Sequence, residues 1–135
     1  MNKRGFTLVE LLAVLVIMII IMVIAIPSII GLMNKSKTKM FCEKVDNIVS
    51  SAKLYGEDHI DEIGNGLEIS VKDLIKTNYV KKENSDCNYD DASKPCITDP
   101  RSKATMDNET LTLTIKNKRA YATFNFKSED INTCK

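Results

Sequence analysis

The sequence contains few of the side chains from which catalytic and metal sites are usually built. It has a single histidine, His59, among 135 residues, and its four cysteines include no C-x-x-C pair. Structural zinc sites use closely spaced cysteine and histidine ligands, so this pattern argues against zinc. No serine or cysteine nucleophile lies near His59 in the sequence, and we interpret it as a solvated loop histidine. We therefore expect a protein that is not an enzyme and that uses no metal or cofactor.

An excess of one charge sign is also missing. The sequence has 19 basic and 18 acidic side chains, and residues 34–135 retain 17 of each, because the first 33 residues contain two basic and one acidic side chain. Binding to nucleic acid or to an anionic lipid surface needs clustered positive charge. Lys116, Lys118 and Arg119 could contact DNA phosphates, but charges at an exposed turn usually serve solubility. The composition therefore argues against nucleic acid as a partner.

Charged residues are absent altogether from Leu11 to Met33. As a helix this stretch would be about 34 Å long, which is enough to cross a bilayer. A secretory signal normally has a shorter apolar region that ends at an Ala-x-Ala-like cleavage site, and neither feature fits. A plain signal-anchor would fit the length. It leaves Glu10 unexplained, because a carboxylate at membrane depth is unfavourable and usually marks function.

The stretch "KRGFTLVELL", followed by an apolar run that reaches "AIP", resembles the N-terminal signature of type IV prepilins and their pseudopilin relatives. The resemblance covers only this N-terminal part of the chain. It implies that a dedicated peptidase cuts on the cytoplasmic side after Gly5 and that the new amino terminus, Phe6, is methylated. Pro27 matches the family proline near which the helix loosens inside the filament. The glycine that family members tend to have in mid-run is Ile19 here.

The resemblance also implies a role for Glu10. After cleavage, Phe6 carries a positively charged amine about one helical turn before the Glu10 carboxylate. In a filament, Glu10 of one subunit can meet the Phe6 amine of a neighbour, and two buried charges that are costly alone become tolerable as a pair. This charge pair would set the register between apolar helices that could otherwise slide.

All four cysteines, Cys42, Cys87, Cys96 and Cys134, follow the apolar run. An even number of cysteines in a small exported domain predicts two disulfides. Three connectivities are possible from the sequence alone. We favour Cys87 with Cys96, which closes a short polar loop, and Cys42 with Cys134, which pins the C-terminal tail to the helix.

Apolar residues continue at helical spacing beyond the apolar run and mark one face of a helix, at Phe41, Val45, Ile48, Ala52 and Tyr55. Such a stripe is typical of a helix that packs on a core. With no strong stop inside it, we predict one helix from about Phe6 to Tyr55 or Glu57, ended by the glycine-rich and acidic stretch "GEDHIDEIGNG".

Two further elements are predicted in the C-terminal half. Ser70 as an N-cap with Asp73 three residues later predicts a short helix, which we expect to lead into a strand at Tyr79 and Val80. The stretch "TLTLTIKNKRAYATFNF" predicts a β-hairpin around a short polar turn. Its inward positions are expected at Leu111, Leu113 and Ile115 and, after the turn, at Tyr121 or Ala122, Phe124 and Phe126.

Residues 81–99 read as a polar loop, and this loop contains a partial calcium motif. Asp86, Asn88 and Asp90 have the first spacings of a calcium-binding loop. However, Asp91 and Ile97 stand where glycine and glutamate are needed. A solvated acidic loop is the better interpretation.

The fold class that follows is α+β and pilin-like, with a long N-terminal helix packed against a small antiparallel sheet. We expect a leader at 1–5, a transmembrane or filament-core half of the helix at 6–33, an amphipathic half at 34–57 and a disulfide-stabilised α+β head at 58–135.

The resemblance implies a structural subunit of a type IV pilus-like filament, or fimbrium, used in adhesion, motility or surface attachment. The implied partners are other pilin subunits, a prepilin peptidase and methylase, an assembly ATPase, a membrane platform protein and the membrane. The chain would cross the cytoplasmic (inner) membrane once before assembly and lie in an extracellular pilus afterwards. The alternatives are a pseudopilin of a type II secretion or DNA-uptake system and a membrane-anchored binding module that never polymerises.

Overall fold

The structure is a computed structural model that describes residues 5–64, 66–127 and 130–134. Its elements are listed in chain order: α1 (Leu8–Asp58), α2 (Ile60–Ile63), β1 (Leu67–Ser70), α3 (Val71–Lys76), β2 (Thr110–Lys116) and β3 (Arg119–Phe124). The chain forms two compact units, an N-terminal unit that ends at Ser36 and a second unit, here called the head, that begins at Lys37. The α+β class predicted from the sequence is confirmed.

The described part of the N-terminal unit is the first part of α1, preceded by three residues outside the helix. The helix begins at Leu8 and ends at Asp58, close to the limits predicted from the sequence. Every described side chain up to Met33 is exposed, although nearly all of them are apolar. By length and composition, α1 can cross a membrane.

The head is built around a three-stranded antiparallel sheet in the order β1-β2-β3. Its core contains the α1 stripe predicted from the sequence, with Phe41, Val45, Ile48 and Ala52 all buried. These side chains join Leu111, Leu113 and Phe124 of the sheet and Val71 and Leu74 of α3 in one apolar cluster. The hydrophobic stripe therefore has the structural role that its helical spacing predicts.

Gly56 allows α1 to approach the sheet closely. A Cβ atom added at Gly56 would lie 2.8 Å from the Cβ of Ala120 on β3, closer than real Cβ atoms approach. Ala120 is itself fully buried. Since both positions carry the smallest side chains, the last turns of α1 pack directly against β3.

Helix α3 forms as predicted, with a complete capping box. The Ser70 hydroxyl accepts a hydrogen bond from the Asp73 amide, and the Asp73 carboxylate in turn accepts one from the Ser70 amide. Two backbone N–H groups that have no acceptor within the helix are thereby each given a side-chain acceptor.

The prediction of a strand at Tyr79 and Val80 is wrong. Both backbone N–H groups donate to the carbonyl oxygen of Leu74, at 2.9 and 3.1 Å, and Asn78 has a positive φ of 62°. These bonds close the C-terminus of α3, so the two amides are not available for a sheet ladder. The strand lies before α3 instead, where β1 pairs with β2 in a register that places Ile69 opposite Leu111.

The hairpin is confirmed, with a two-residue turn between β2 and β3. Asn117 and Lys118 both have positive φ, 53° and 60°, as the turn that matches strand twist requires. The sequence left open whether Tyr121 or Ala122 of β3 faces inward. In the structure Ala122 is half-buried, whereas Tyr121 is exposed. Phe126 lies beyond the end of β3, half-buried with its ring 5.0 Å from that of Phe124.

Candidate functional site

The start of α1 is organised by a hydrogen-bonded pair, Thr7 and Glu10. The Glu10 amide donates to the Thr7 hydroxyl at 3.3 Å, and the Thr7 amide and hydroxyl both donate to Glu10 Oε2 at 3.1 Å. This is a capping box, with threonine as the N-cap and glutamate three residues later. The sequence signal, Thr-x-x-Glu before an apolar run, was present but was not used in the sequence analysis.

The capping box leaves part of the Glu10 carboxylate available. Both bonds from Thr7 end on Oε2, and in the part of the chain that the structure describes no hydrogen bond reaches Oε1. One carboxylate can therefore hold its own helix start through one oxygen and present the other outward. In this chain the Phe6 nitrogen is a peptide amide that follows Gly5, and the charge pair between Glu10 and Phe6 stays a prediction.

Gly5 and Phe6 precede α1 and are both exposed, and no added Cβ at Gly5 would meet an atom within 4 Å. A peptide bond outside a helix and open to solvent can enter a peptidase site without unfolding. Pro27 lies inside α1. Loosening of the helix at Pro27 concerns the assembled filament and stays a prediction.

The head contains both disulfides in the pairing that we favoured. Cys42 on α1 is bonded to Cys134 across a separation of 92 residues, and Cys87 is bonded to Cys96 across 9 residues. No cysteine among the described residues is free. The first bridge joins the tail to α1, and the second closes the polar loop.

An arginine cluster lies beside the longer disulfide. Arg101 donates to Asp99 through Nη2 at 2.7 Å and through Nε at 3.1 Å, and to Asp130 through Nη1 at 2.7 Å. Its guanidinium carbon also lies 3.5 Å from the centroid of the Phe41 ring. One side chain therefore connects a loop, the tail and α1. None of these contacts was predicted, because nothing in the sequence distinguishes Arg101 from other basic residues.

This cluster shifts the pKa of its members in opposite directions. Hydrogen bonds from Arg101 are the main reason that the pKa of Asp130 is lowered. Burial by itself raises the pKa of Asp99, but the hydrogen bonds and charge of Arg101 outweigh it, so that pKa is also lowered. The two carboxylates raise the pKa of Arg101. All three groups are therefore held in their charged forms at neutral pH.

Asp107 holds the buried half of the shorter disulfide in place. Its carboxylate accepts hydrogen bonds from the amides of Cys96 and Ile97, both at 2.8 Å, and the residue is only 2% exposed. A buried carboxylate with two backbone donors is satisfied without a cation. The sequence analysis missed this residue.

The polar loop is also attached to α1 by an ion pair. Lys44 lies 2.6 Å from a Glu83 carboxylate oxygen and donates to the Thr98 carbonyl oxygen, also at 2.6 Å. The other Glu83 oxygen accepts from the Thr98 amide at 3.2 Å. Loop 81–99 is thus polar, as predicted, yet fixed to the helix.

His59 is not the solvated loop residue that we expected. It is half-buried, its ring stacks on Tyr55 with centroids 4.2 Å apart, and its Nδ1 lies 2.9 Å from the Tyr55 carbonyl oxygen. Tyr79 packs edge-on against Tyr55 and donates from its hydroxyl to Asp58 at 2.7 Å. That hydrogen bond raises the pKa of Tyr79. The cluster fastens the end of α1 to the turn after α3.

The partial calcium motif forms local turns. Asn88 accepts a hydrogen bond from the Asp90 amide, and Asp91 accepts from the Ser93 amide and hydroxyl. These Ser93 bonds lower the pKa of Asp91. Among the residues that the structure describes, no group of three or more histidine, cysteine, aspartate or glutamate side chains is placed to hold a metal ion.

Taken together, the features define an α+β protein with a disulfide-linked head and an apolar N-terminal helix. Residues 1–26 match the family model described as the prokaryotic N-terminal methylation motif. The match confirms, for this N-terminal segment, the resemblance to type IV prepilins and pseudopilins. No curated protein and no solved structure matches the chain.

Proposed function

We propose that the protein is a structural subunit of a type IV pilus-like filament, made as a membrane-resident prepilin. The observation that carries the proposal is the helix behind the methylation motif, whose apolar side chains are exposed from Leu8 to Met33 around one acid, Glu10. Such a surface is not stable in water and needs lipid or other apolar helices. Lipid covers this apolar surface before assembly, and neighbouring subunits cover it in a filament.

The processing steps follow from the motif. A prepilin peptidase and methylase removes residues 1–5 by cleavage after Gly5 and methylates the amine of Phe6. Oε1 of Glu10 then accepts the amine of a neighbouring subunit while Oε2 continues to cap its own helix. An assembly ATPase and a membrane platform protein supply the work of extraction from the membrane. The activity is polymerisation, and adhesion, motility or surface attachment is its use outside the cell.

The second candidate is a pseudopilin of a secretion or DNA-uptake system, because the methylation motif is common to pilins and pseudopilins. The two candidates differ in what reaches the cell surface. A pilus subunit forms long filaments that shear from cells, whereas a pseudopilin forms a short filament that stays in the envelope. Loss of a secretion or uptake activity without loss of surface filaments would favour the second candidate.

The test is to shear cells that express the protein as their only copy, pellet the released material and examine it by electron microscopy and intact-mass analysis. We expect filaments built from a chain that starts at Phe6 and carries one added methyl group. The matched variant is Gly5→Val, in which a branched side chain should obstruct the peptidase and leave residues 1–5 in place. A pelleted protein that starts at Met1, or normal trimming of Gly5→Val, would contradict the proposal.

A further inference from the structure

The described part of the tail after β3, residues 125–127 and 130–134, contains short turns. In its described part, the Asp130 amide donates to the Lys127 carbonyl oxygen at 2.9 Å and the Thr133 amide donates to Asp130 at 3.0 Å. These turns end at Cys134, whose sulfur is bonded to Cys42 on α1. The tail has little regular structure of its own, so its position depends on what holds it to the head.

Arg101 contacts one residue near each cysteine of this bridge, and we call it the clamp. Its guanidinium donates to Asp99 through Nε and Nη2. It donates to Asp130 through Nη1 at 2.7 Å and through Nη2 at 3.2 Å, which makes the contact with Asp130 two-pronged. Its flat face lies on Phe41, the residue before Cys42. The clamp therefore contacts α1 one residue from one cysteine and the tail four residues from the other.

The side chains of the clamp and its two carboxylate partners are largely shielded from water, so their ion pairs contribute to holding the tail. The side chains of Arg101, Asp99 and Asp130 are 24%, 12% and 24% exposed. Two-pronged arginine–carboxylate pairs are stronger than single contacts, and screening by water weakens fully exposed pairs most. Lys127 makes the matched comparison, because its ion pair with Glu109 also attaches the tail while the Lys127 side chain is 72% exposed and the Glu109 side chain 19%.

We propose that Arg101 is the positioning residue for formation of the Cys42–Cys134 disulfide. By gripping Asp130 it docks the reduced tail on α1 and places the two thiols next to each other before any covalent bond exists. Bringing together cysteines 92 residues apart has a large loop-closure entropy, whereas Cys87 and Cys96, 9 residues apart, meet with a small one. The long bridge therefore gains more from a contact that places its two cysteines together.

The chemistry is ordinary thiol–disulfide exchange with an external disulfide oxidant. One protein thiolate attacks the oxidant disulfide, forms a mixed disulfide and releases one small thiol. The second protein thiolate then displaces the remaining small thiol, so two protein thiols are oxidised and one oxidant disulfide is reduced. The fraction of molecules in which Cys134 lies against Cys42 sets how readily this second step occurs.

The clamp and the bridge are thermodynamically linked because both hold the same tail. If the clamp raises the effective concentration of Cys134 at Cys42 by some factor, the bridge strengthens the clamp by that same factor. The contribution of the clamp can therefore be measured as a change in the equilibrium constant of the disulfide.

The experiment uses the full-length chain in detergent micelles, reduced and then equilibrated in buffers of reduced and oxidised glutathione at neutral pH. Alkylation and peptide mapping give the fraction of each bridge separately. Asp130→Asn removes the charge on the tail, and Arg101→Lys keeps the positive charge but loses the two-pronged geometry. Glu109→Gln removes the charge from the ion pair with the exposed Lys127 and serves as the control, and Cys87–Cys96 is an internal reference in every sample.

We expect Asp130→Asn to lower the equilibrium constant for Cys42–Cys134 by about five- to thirtyfold, the range that corresponds to about 1 to 2 kcal/mol. Arg101→Lys should lower it by a similar amount, and Glu109→Gln by about twofold or less. The Cys87–Cys96 equilibrium should not change in any variant. An unchanged Cys42–Cys134 equilibrium in Asp130→Asn would overturn the proposal. A parallel fall at both bridges would overturn it as well, since Arg101 would then act on the whole head.

Discussion

The N-terminal unit and the head share one helix but use apolar side chains in opposite ways. From Leu8 to Met33 the apolar residues of α1 surround the helix and all are exposed. In the head, the same helix has one main apolar face, at Phe41, Val45 and Ile48, and those side chains are buried, although Met40 and Leu54 elsewhere on the helix are exposed. An all-round apolar helix needs a partner outside its own chain, whereas a one-sided helix finds its partner within the chain. The N-terminal unit therefore presents an apolar surface that its own chain does not cover, and the head contains the packed core that stabilises the fold.

This comparison predicts that the two units can be damaged independently, and the largest effect is expected at Glu10. Glu10→Leu removes the charge and the capping box, and Glu10→Gln removes the charge alone because glutamine can still cap. We expect both variants to be exported and cleaved after Gly5 yet to give few or no filaments, since an uncompensated Phe6 amine would cost about 3 to 5 kcal/mol per subunit. Electron microscopy of sheared material measures this.

The two Glu10 variants separate two explanations. If Glu10→Gln assembles normally and Glu10→Leu does not, the capping box matters and the charge pair does not. Abundant filaments from Glu10→Leu would contradict both roles. The thermal unfolding of the head should be unchanged in either variant, because Glu10 lies in the N-terminal unit and the described hydrogen bonds of its side chain go to Thr7.

The next largest effect is expected from the disulfides, and it should appear only in the head. In the chain-entropy description, a bridge across 92 residues stabilises by about 4 to 5 kcal/mol and one across 9 residues by about 2 to 3 kcal/mol. Replacing Cys42 and Cys134 by alanine should therefore lower the free energy of unfolding more than the same replacement of Cys87 and Cys96. Denaturant unfolding of full-length protein in detergent, followed by tyrosine fluorescence, measures both.

The control for this prediction is cleavage of the N-terminus. Neither pair of replacements should alter trimming after Gly5 or methylation of Phe6, because both reactions concern the N-terminal unit. Equal losses of stability from the two bridges would show that loop length does not decide their contributions.

A smaller effect is expected at Gly56, where the helix meets the sheet. Gly56→Ala adds a Cβ that would lie 2.8 Å from the Cβ of Ala120. Overpacking of this kind costs about 1 to 3 kcal/mol, and better helix propensity returns up to about 1 kcal/mol. The matched change is Gly31→Ala, in the N-terminal unit of the same helix, where an added Cβ meets nothing within 4 Å. Head stability should fall in the first variant only, and equal stability of both would contradict the close packing.

The sequence predicted the features whose cause is local. The stripe on α1, the capping box at Ser70 and the β-hairpin turn each follow from spacing or from a few adjacent residues, and all three are present. The strand at Tyr79 and Val80 failed because β-branched and aromatic propensity was outweighed by two backbone bonds to Leu74 that complete the end of α3. Strand propensity does not indicate which carbonyl oxygen will accept a hydrogen bond from a given backbone amide.

The contacts that were missed depend on residues distant in the sequence. Arg101 contacts Phe41 and Asp130, which lie near opposite ends of the sequence of the head. Asp107 accepts a hydrogen bond from the backbone amide of Cys96. Nothing in the neighbourhood of these residues in the sequence distinguishes them from solvated charges. The capping box at Thr7 is different, because its Thr-x-x-Glu signal is local and could have been recognised.

The smallest predicted effect is a dependence of head stability on acid, and it is carried by the arginine cluster. Arg101 lowers the pKa of Asp130 and of Asp99 below their ordinary value of 3.8. A carboxylate whose pKa is lower in the folded state contributes stability that is complete above its unfolded pKa and is lost as the pH falls through the folded pKa. The contribution should therefore be constant above about pH 5, decline as the pH falls below about 4, and be lost only once the pH is below the lowered folded pKa.

Asp130→Asn makes this dependence measurable. At neutral pH the variant should unfold at a lower temperature than the unmodified chain, by a few degrees for a pair that is partly exposed. As the pH falls below about 4, the two curves should converge, since protonated Asp130 and asparagine are then both uncharged. Asp91, whose pKa is also lowered, titrates in both proteins and cancels in the difference. Asp86→Asn, at an exposed position, is the control and should leave the unfolding temperature at neutral pH unchanged. If instead the gap between Asp130→Asn and the unmodified chain stays constant down to pH 2, the ion pair makes no contribution through its charge, and the tail is held by the disulfide and packing alone.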